Sequence, residues 1–270
     1  MAFAGKVVIV TGGNSGIGKG IVLKFAGEGA IVVVVGRSDK TLEETKNEVL
    51  GRKTKPENIL LIKADVSLKE ETHRVIEETV KKYGRVDVLV NNAGIGNDPT
   101  LSDPFSIENY DAIMNLNVRG VINLCKAATP YLLKSQGNIV NISSIISTIP
   151  SSHSQFYAVS KAALDMYTKC LASELTPQGI RVNSVNPGAV LTAFMSRVVS
   201  KPGMDVSIED SNKLILGLVP TVPMKRCGEP SEIADAVAFL AGPTGSYISG
   251  ITIPVDGGVL IADKYAEIFK

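Results

Sequence analysis

Tyr157 and Lys161 stand four residues apart in a stretch with helical spacing, Tyr157–Leu175, which stacks both side chains on one face. A free phenol has a pKa of about 10, too high to exchange protons readily at neutral pH. An ammonium group one turn away favours the phenolate and is expected to lower that value. Such a pair can act as a general acid/base toward a carbonyl or alcohol oxygen. The spacing alone is weak evidence, because surface Tyr–Lys pairs are common. Ser144 adds weight. It ends a strand-like run, Asn138–Ile142, and open α/β sheets place their ligands at the carboxyl ends of strands. Its hydroxyl can donate to or orient the same substrate oxygen.

A second set of residues points to a dinucleotide. Thr11-Gly12-Gly13-Asn14-Ser15-Gly16-Ile17-Gly18 follows a first strand (Lys6–Val10) and opens a helix (Ser15–Glu28). Glycines at 12, 16 and 18 permit unusual backbone angles and let a pyrophosphate approach the chain, while the helix N-terminus faces it with free N–H groups. A bare strand–helix turn is the plainer explanation, and the flanking elements argue against it. The second strand, Ile31–Val35, ends in Gly36-Arg37-Ser38, where an acidic residue would favour NAD(H). Arg37 suits a forked contact to a 2′-phosphate and Ser38 can add a hydrogen bond, so NADP(H) is expected. Asp39 argues the other way. Asp65 and Val66 follow the third strand and could meet an adenine ring, or Asp65 or Ser67 could cap the next helix. Asn91-Asn92-Ala93-Gly94 follows another strand, and its small residues would admit the nicotinamide side of a cofactor.

These residues need a scaffold, and the hydropathy pattern supplies one. Strand-like runs at Ile59–Lys63, Val86–Val90, Arg181–Val185 and Ile251–Val255 complete the series. Helical patterns fill Thr41–Val49, Glu70–Tyr83, Ile107–Leu133 and Tyr157–Leu175. The alternation predicts an α/β fold: one doubly wound, Rossmann-like domain over 1–270, with about seven parallel strands and helices on both faces. Thr192–Gly228 holds Pro202, Pro220 and Pro223 and has weak periodicity. It is expected to be an irregular insertion or lid over the site.

Composition excludes several classes. The net charge of +1 gives no global attraction to nucleic acid or an anionic membrane. Three scattered cysteines, Cys125, Cys170 and Cys227, form neither a disulfide framework nor a metal clip. Two isolated histidines, His73 and His153, give no zinc site, so no metal is expected. No apolar run is long enough to span a bilayer and the N-terminus lacks signal-peptide features, so a cytoplasmic protein is expected.

Taken in order, these motifs resemble the short-chain dehydrogenase/reductase family in its compact form, over essentially the whole chain. Thr11–Gly18 matches its cofactor loop and Asn91–Gly94 its N-N-A-G element. Ser144, Tyr157 and Lys161 match its catalytic residues. Asn117 falls at the tetrad asparagine, with Asn115 the competing choice. Pro187, Gly188, Val190 and Thr192 match the segment that bonds the nicotinamide carboxamide. Val255-Asp256-Gly257-Gly258 matches its last strand and turn. The resemblance implies that Tyr157 is proton donor in reduction and acceptor in oxidation. Lys161 would bond the nicotinamide ribose, and Ser144 would hold the substrate oxygen. Asn117 would bend its helix and keep a water that links Lys161 to solvent. It implies a small-molecule alcohol or carbonyl substrate and a homotetramer or dimer, with the Asn117 and Tyr157 helices at an interface. Ile145, Ile146, Phe156, Ala189, Phe194 and Met195 suggest apolar pocket edges. The alternatives are an NAD(H)-dependent member of the family and a cofactor-binding regulator without catalysis; the second predicts a damaged tetrad, and all four positions are intact.

Overall fold

The computed structural model describes residues 1–52, 54–98, 100–194 and 208–262. Lys53, Met195 and Pro202 lie outside them, as does the side chain of Leu214. Seven parallel strands form one sheet in the order β3-β2-β1-β4-β5-β6-β7. They are β1 Val7–Thr11, β2 Ile31–Gly36, β3 Ile59–Lys63, β4 Val88–Asn91, β5 Asn138–Ile142, β6 Arg181–Pro187 and β7 Thr252–Val255.

Every residue of β1 is buried, and successive side chains go to opposite faces. Val8, Val10, Val32 and Val34 join the core on one face, under helices α1 (Gly16–Gly27) and α2 (Asp39–Gly51). Val7, Ile9, Val33 and Val35 join the core on the other, under α3 (Lys69–Tyr83), α5 (Val121–Ser135) and α6 (Gln155–Leu175). Burial on both faces explains why these strands read as unbroken β-branched runs. The strand order reverses between β1 and β4, so the crevice beyond Thr11 and Asn91 is where such a sheet holds a ligand.

The helical pattern over Ile107–Leu133 is not one α-helix. It is α4 (Ile107–Met114), a π-helical segment over Asn115–Gly120, and α5. Hydropathy does not reveal this change, because it is a switch from i→i+4 to i→i+5 backbone hydrogen bonding confined to six residues. The described part of the Thr192–Gly228 stretch includes a helix, α7 (Ile208–Leu216). Helix α8 (Pro230–Ala241) was missed, although its signal is local. Pro230 opens the first turn, and Glu229 and Glu232 form a reciprocal capping box. Its apolar side, Ile233, Ala234 and Val237, completes the first core face. No described helix is long and apolar enough to cross a membrane.

Candidate active site

The glycine loop runs from β1 into α1 with Gly12 and Gly16 at positive φ, +61° and +51°. An L side chain is strained there, and at Gly18 a Cβ would overlap the carbonyl oxygen of Gly12. The loop is cross-tied to the chain after β4. Thr11 Oγ1 accepts from the backbone N–H of Asn92 and Ala93, both at 3.0 Å. Asn92 Nδ2 donates to the carbonyls of Thr11 (2.8 Å) and Gly12 (3.2 Å). Asn92 and Thr11 therefore shape the loop, a role that neither residue type announces in sequence. Asn14 Nδ2 donates to Thr41 Oγ1 at 2.5 Å and lies against Gly36, joining the loop to the end of β2. Ser15 and Ile17 sit at the start of α1, whose first N–H groups have no acceptor within the helix. Thr192, far away in sequence, comes within 3.2 Å of where a Gly16 Cβ would stand. Gly188 donates to Val255 O at 3.0 Å beyond the end of β6 at Pro187, and Val190 bridges to Gly228. The result is a cradle over a helix N-terminus, which fits a dinucleotide pyrophosphate.

At the ends of β2 and β3 the groups are charged and exposed. Arg37 Nη1 lies 3.8 Å from Asp65 Oδ2. Asp39 is held by Lys63 at 2.6 Å. Ser38 is the N-cap of α2, its hydroxyl oxygen accepting from Thr41 N at 3.5 Å. Neither Asp65 nor Ser67 caps α3: the N-cap is Leu68, and Asp65 Oδ1 instead accepts from Ser67 N and Oγ in a local turn. Val66 is buried, and its carbonyl lies against Gly120.

The residues expected to handle the proton, Tyr157, Lys161, Ser144 and Asn117, converge at the ends of β4 and β5. Lys161 is 4% exposed, and its Nζ donates to Ile142 O at 2.8 Å. That nitrogen is 5.5 Å from the centre of the Tyr157 ring. Gly94 lies alongside: a Cβ there would be 3.1 Å from Asn117 Oδ1 and 3.6 Å from Lys161 Nζ. Asn117 is buried in the π-helical segment. Its Oδ1 accepts from Ile95 N, and its Nδ2 donates to Ile95 O and to Ser160 Oγ, at 2.9–3.0 Å. Asn115 accepts from Arg119 instead, so Asn117 is the asparagine brought to the cluster. Ser144 caps a short 3-10 turn, Ile145–Ser147, on the other side of Tyr157. Asn91 Nδ2 donates to Asn141 Oδ1 at 2.9 Å, which ties β4 to β5 below the site.

The electrostatics differ from the expectation that Lys161 lowers the Tyr157 pKa. Burial pushes the Tyr157 phenol above its ordinary value, and a hydrogen bond with Ser144 opposes that. Burial pulls the Lys161 ammonium down to about 8, and the Asp165 carboxylate opposes it. Both groups share one desolvated corner, where the neutral form of each is favoured. Above the cluster, Phe194 lies over Tyr157 with ring centres 5.6 Å apart, and Phe156 packs edge-on against Tyr110 at 5.4 Å.

Comparisons with known proteins agree with this geometry. A family model described as enoyl-(acyl carrier protein) reductase matches residues 12–260. A 3-oxoacyl-[acyl-carrier-protein] reductase of Thermotoga maritima is 37% identical over 262 residues, covering 97% of this chain and all of that protein. A glucose 1-dehydrogenase of Gluconobacter oxydans is 36% identical over 96% of this chain and 93% of its own length. The crystal structure of a short-chain dehydrogenase/reductase of unknown function from Caenorhabditis elegans, solved with cofactor, superposes with a TM-score of 0.89 at 37% identity, over 98% of both chains. With a seven-stranded parallel sheet, a glycine cradle at its reversal point and matches of this length, the chain belongs to the short-chain dehydrogenase/reductase family of nicotinamide-dependent oxidoreductases.

Proposed function

We propose that the protein interconverts a secondary alcohol and a carbonyl with NADP(H), using Tyr157 as proton donor and acceptor. The observation that carries this reading is the meeting of Ser144, Tyr157, Lys161 and Asn117 beside Gly94, at the strand ends next to the glycine cradle. The bound nicotinamide supplies or takes the hydride; the chain handles the proton and the positioning. Gly12, Asn14, Ser15, Gly16, Ile17 and Gly18 would hold the pyrophosphate. Asp65 and Val66 would border the adenine. Asn91, Ala93, Gly94, Pro187, Gly188, Val190 and Thr192 would border the nicotinamide. In reduction Ser144 donates a hydrogen bond to the carbonyl oxygen, and Tyr157 Oη gives it a proton as the alkoxide forms. Lys161, held by Ile142 O, bonds the nicotinamide ribose. Its positive charge, when protonated, favours the phenolate left behind and so opposes the burial that raises the Tyr157 pKa.

The NADP(H) preference rests on Arg37, which is 65% exposed and only loosely paired, and so is free to meet a 2′-phosphate. Asp39 would repel that phosphate, but Lys63 neutralises it. The substrate pocket is expected to favour a lipophilic or medium-sized carbonyl compound, because Ile145, Ile146, Phe156, Ala189 and Phe194 would form its edges. A homo-oligomer is also proposed: Val159 and Met166 of α6 are 51% and 58% exposed, an apolar stripe suited to packing against a second copy.

The test is Tyr157→Phe, assayed by NADPH absorbance against a panel of carbonyl compounds that the parent reduces. Turnover is expected to vanish while NADPH still binds, read from the change in the fluorescence of its own nicotinamide. Retained turnover would remove Tyr157 from the acid/base role.

A further inference from the structure

Asp165 is one turn beyond Lys161 on α6 and 8% exposed, an uncommon place for a carboxylate. It is not spent on a direct ion pair. Its Oδ2 accepts from Asn186 Nδ2 at 2.8 Å, and its Oδ1 lies 3.3 Å from Ser184 Oγ. Asn186 is 3% exposed and is the penultimate residue of β6, before Pro187. Its amide nitrogen has two hydrogens. One goes to Asp165; the other faces the carbonyl oxygen of Ser144 at 3.3 Å and Ser147 Oγ at 3.1 Å. These acceptors settle which way the amide points, and Ser184 Oγ at 3.0 Å from Asn186 Oδ1 completes it on the other side. Asn186 thus grips the backbone of Ser144 and the turn behind it, and Asp165 holds Asn186.

Two further ties join the same turn to α6. Lys161 Nζ donates to Ile142 O, and Ser143 Oγ donates to Lys161 O at 3.2 Å. The serine segment is therefore stitched to the tyrosine–lysine helix from both ends. We propose that Asp165 and Asn186 are positioning residues that set the Ser144 hydroxyl against Tyr157, by fixing the Ser144 carbonyl relative to α6. This rests on the roles assigned to Tyr157 and Ser144 above. Misplacing a group by about 1 Å in such a site costs on the order of a hundredfold in rate, so the tie is large enough to matter. Hydrogen bonding, not charge, carries the effect: an asparagine at 165 can still accept from Asn186 and donate to Ser184.

The experiment uses the full chain, NADPH and a carbonyl substrate that the parent reduces. Asn186→Leu, close in volume but without hydrogen bonds, is expected to lower kcat about 10- to 100-fold with the KM for NADPH unchanged. Asp165→Leu should do the same, and Asp165→Asn should restore kcat to within about threefold of the parent. The decisive arm repeats Asn186→Leu in a Ser144→Ala background, where it should have no further effect on the residual rate. A loss in Asn186→Leu that persists undiminished without the Ser144 hydroxyl would overturn the proposal, as would a KM for NADPH that rises in step with the loss of kcat. So would an Asn186→Leu enzyme as fast as the parent. If Asp165→Leu does not fold, Asp165→Asn and Asn186→Leu carry the test alone. Failure of the underlying reading looks different, because Tyr157→Phe would then stay active.

Discussion

At the end of β5 the polar groups are buried and joined by short hydrogen bonds, whereas at the ends of β2 and β3 they are charged, exposed and joined by ion pairs. Lys161 and Asn117 are 4% and 0% exposed, while the side chains of Arg37 and Lys63 are 65% and 60% exposed. A buried group that loses its partner costs about 1–3 kcal/mol. An exposed ion pair is worth about 0–1 kcal/mol. The first region therefore holds one geometry, and changes there are felt as lost chemistry. The second can exchange partners at little cost to the fold, which is what the proposed 2′-phosphate contact of Arg37 would require. The proposed acid/base cluster and the proposed 2′-phosphate contact thus lie in two different kinds of structure.

Lys161→Met should break the buried region most visibly. Turnover is expected to fall roughly a thousandfold, the usual scale for losing acid–base assistance. Stability should move the opposite way. The Lys161 pKa sits at about 8 in the folded chain against 10.5 for the ordinary side chain. Below pH 8 the fold carries a buried ammonium that it disfavours, by on the order of 3 kcal/mol. Between those two values the unfolded chain binds more protons than the folded one, so the penalty fades as pH rises. Thermal melting should therefore show Lys161→Met more stable than the parent at pH 7, with the gain shrinking toward pH 10.5. An unchanged gain at high pH would remove the buried charge as its cause.

Arg37→Asp tests the exposed region. NADPH binding, read by fluorescence titration, is expected to weaken about a hundredfold, with NADH affected less than threefold. Equal losses for the two cofactors would erase the distinction drawn for this end of the crevice. Lys63→Ala frees Asp39 next to the same position and should weaken NADPH by about threefold. Asp39→Asn should tighten it by a similar factor. The smallest expected effect is that of salt. The Lys63 and Asp39 differences should fade at about 0.5 M NaCl, whereas the Lys161 stability difference should not, because buried groups are poorly screened.

Much of the scaffold was legible because parallel strands buried on both faces leave an unmistakable mark. Ile31–Val35 and Asn138–Ile142 need no partner to be recognised as strands. The glycine loop and the Tyr157/Lys161 pair could be picked out by local spacing, although for the pair that spacing alone was weak evidence. Asp165 and Asn186 were not legible as parts of the site, and the motifs that hold Thr11 and Asn92 did not show that these two cross-tie the loop. Each acts through a neighbour on another strand or helix, and nothing in its own flanking residues distinguishes it from a solvated polar side chain. The π-helical turn at Asn115–Gly120 was hidden for a related reason: backbone hydrogen bonding changed while the apolar pattern did not. Burial outweighs the lowering of the Tyr157 pKa that the spacing suggests, because proximity is encoded by spacing but desolvation is set by everything that packs around the pair.

By itself the sequence determined the succession of the seven strands, the glycine positions that a cradle requires, and the placement of Tyr157 and Lys161 on one helix face. Those properties follow from short-range sterics and periodicity. Only the tertiary structure decided that Asn117 rather than Asn115 enters the cluster, that Asp39 is neutralised by Lys63, and that Ser144 is tied through Asn186 to Asp165. These are contacts between residues distant in the chain, and their strength depends on burial, which exists only once the sheet and its helices have closed around them.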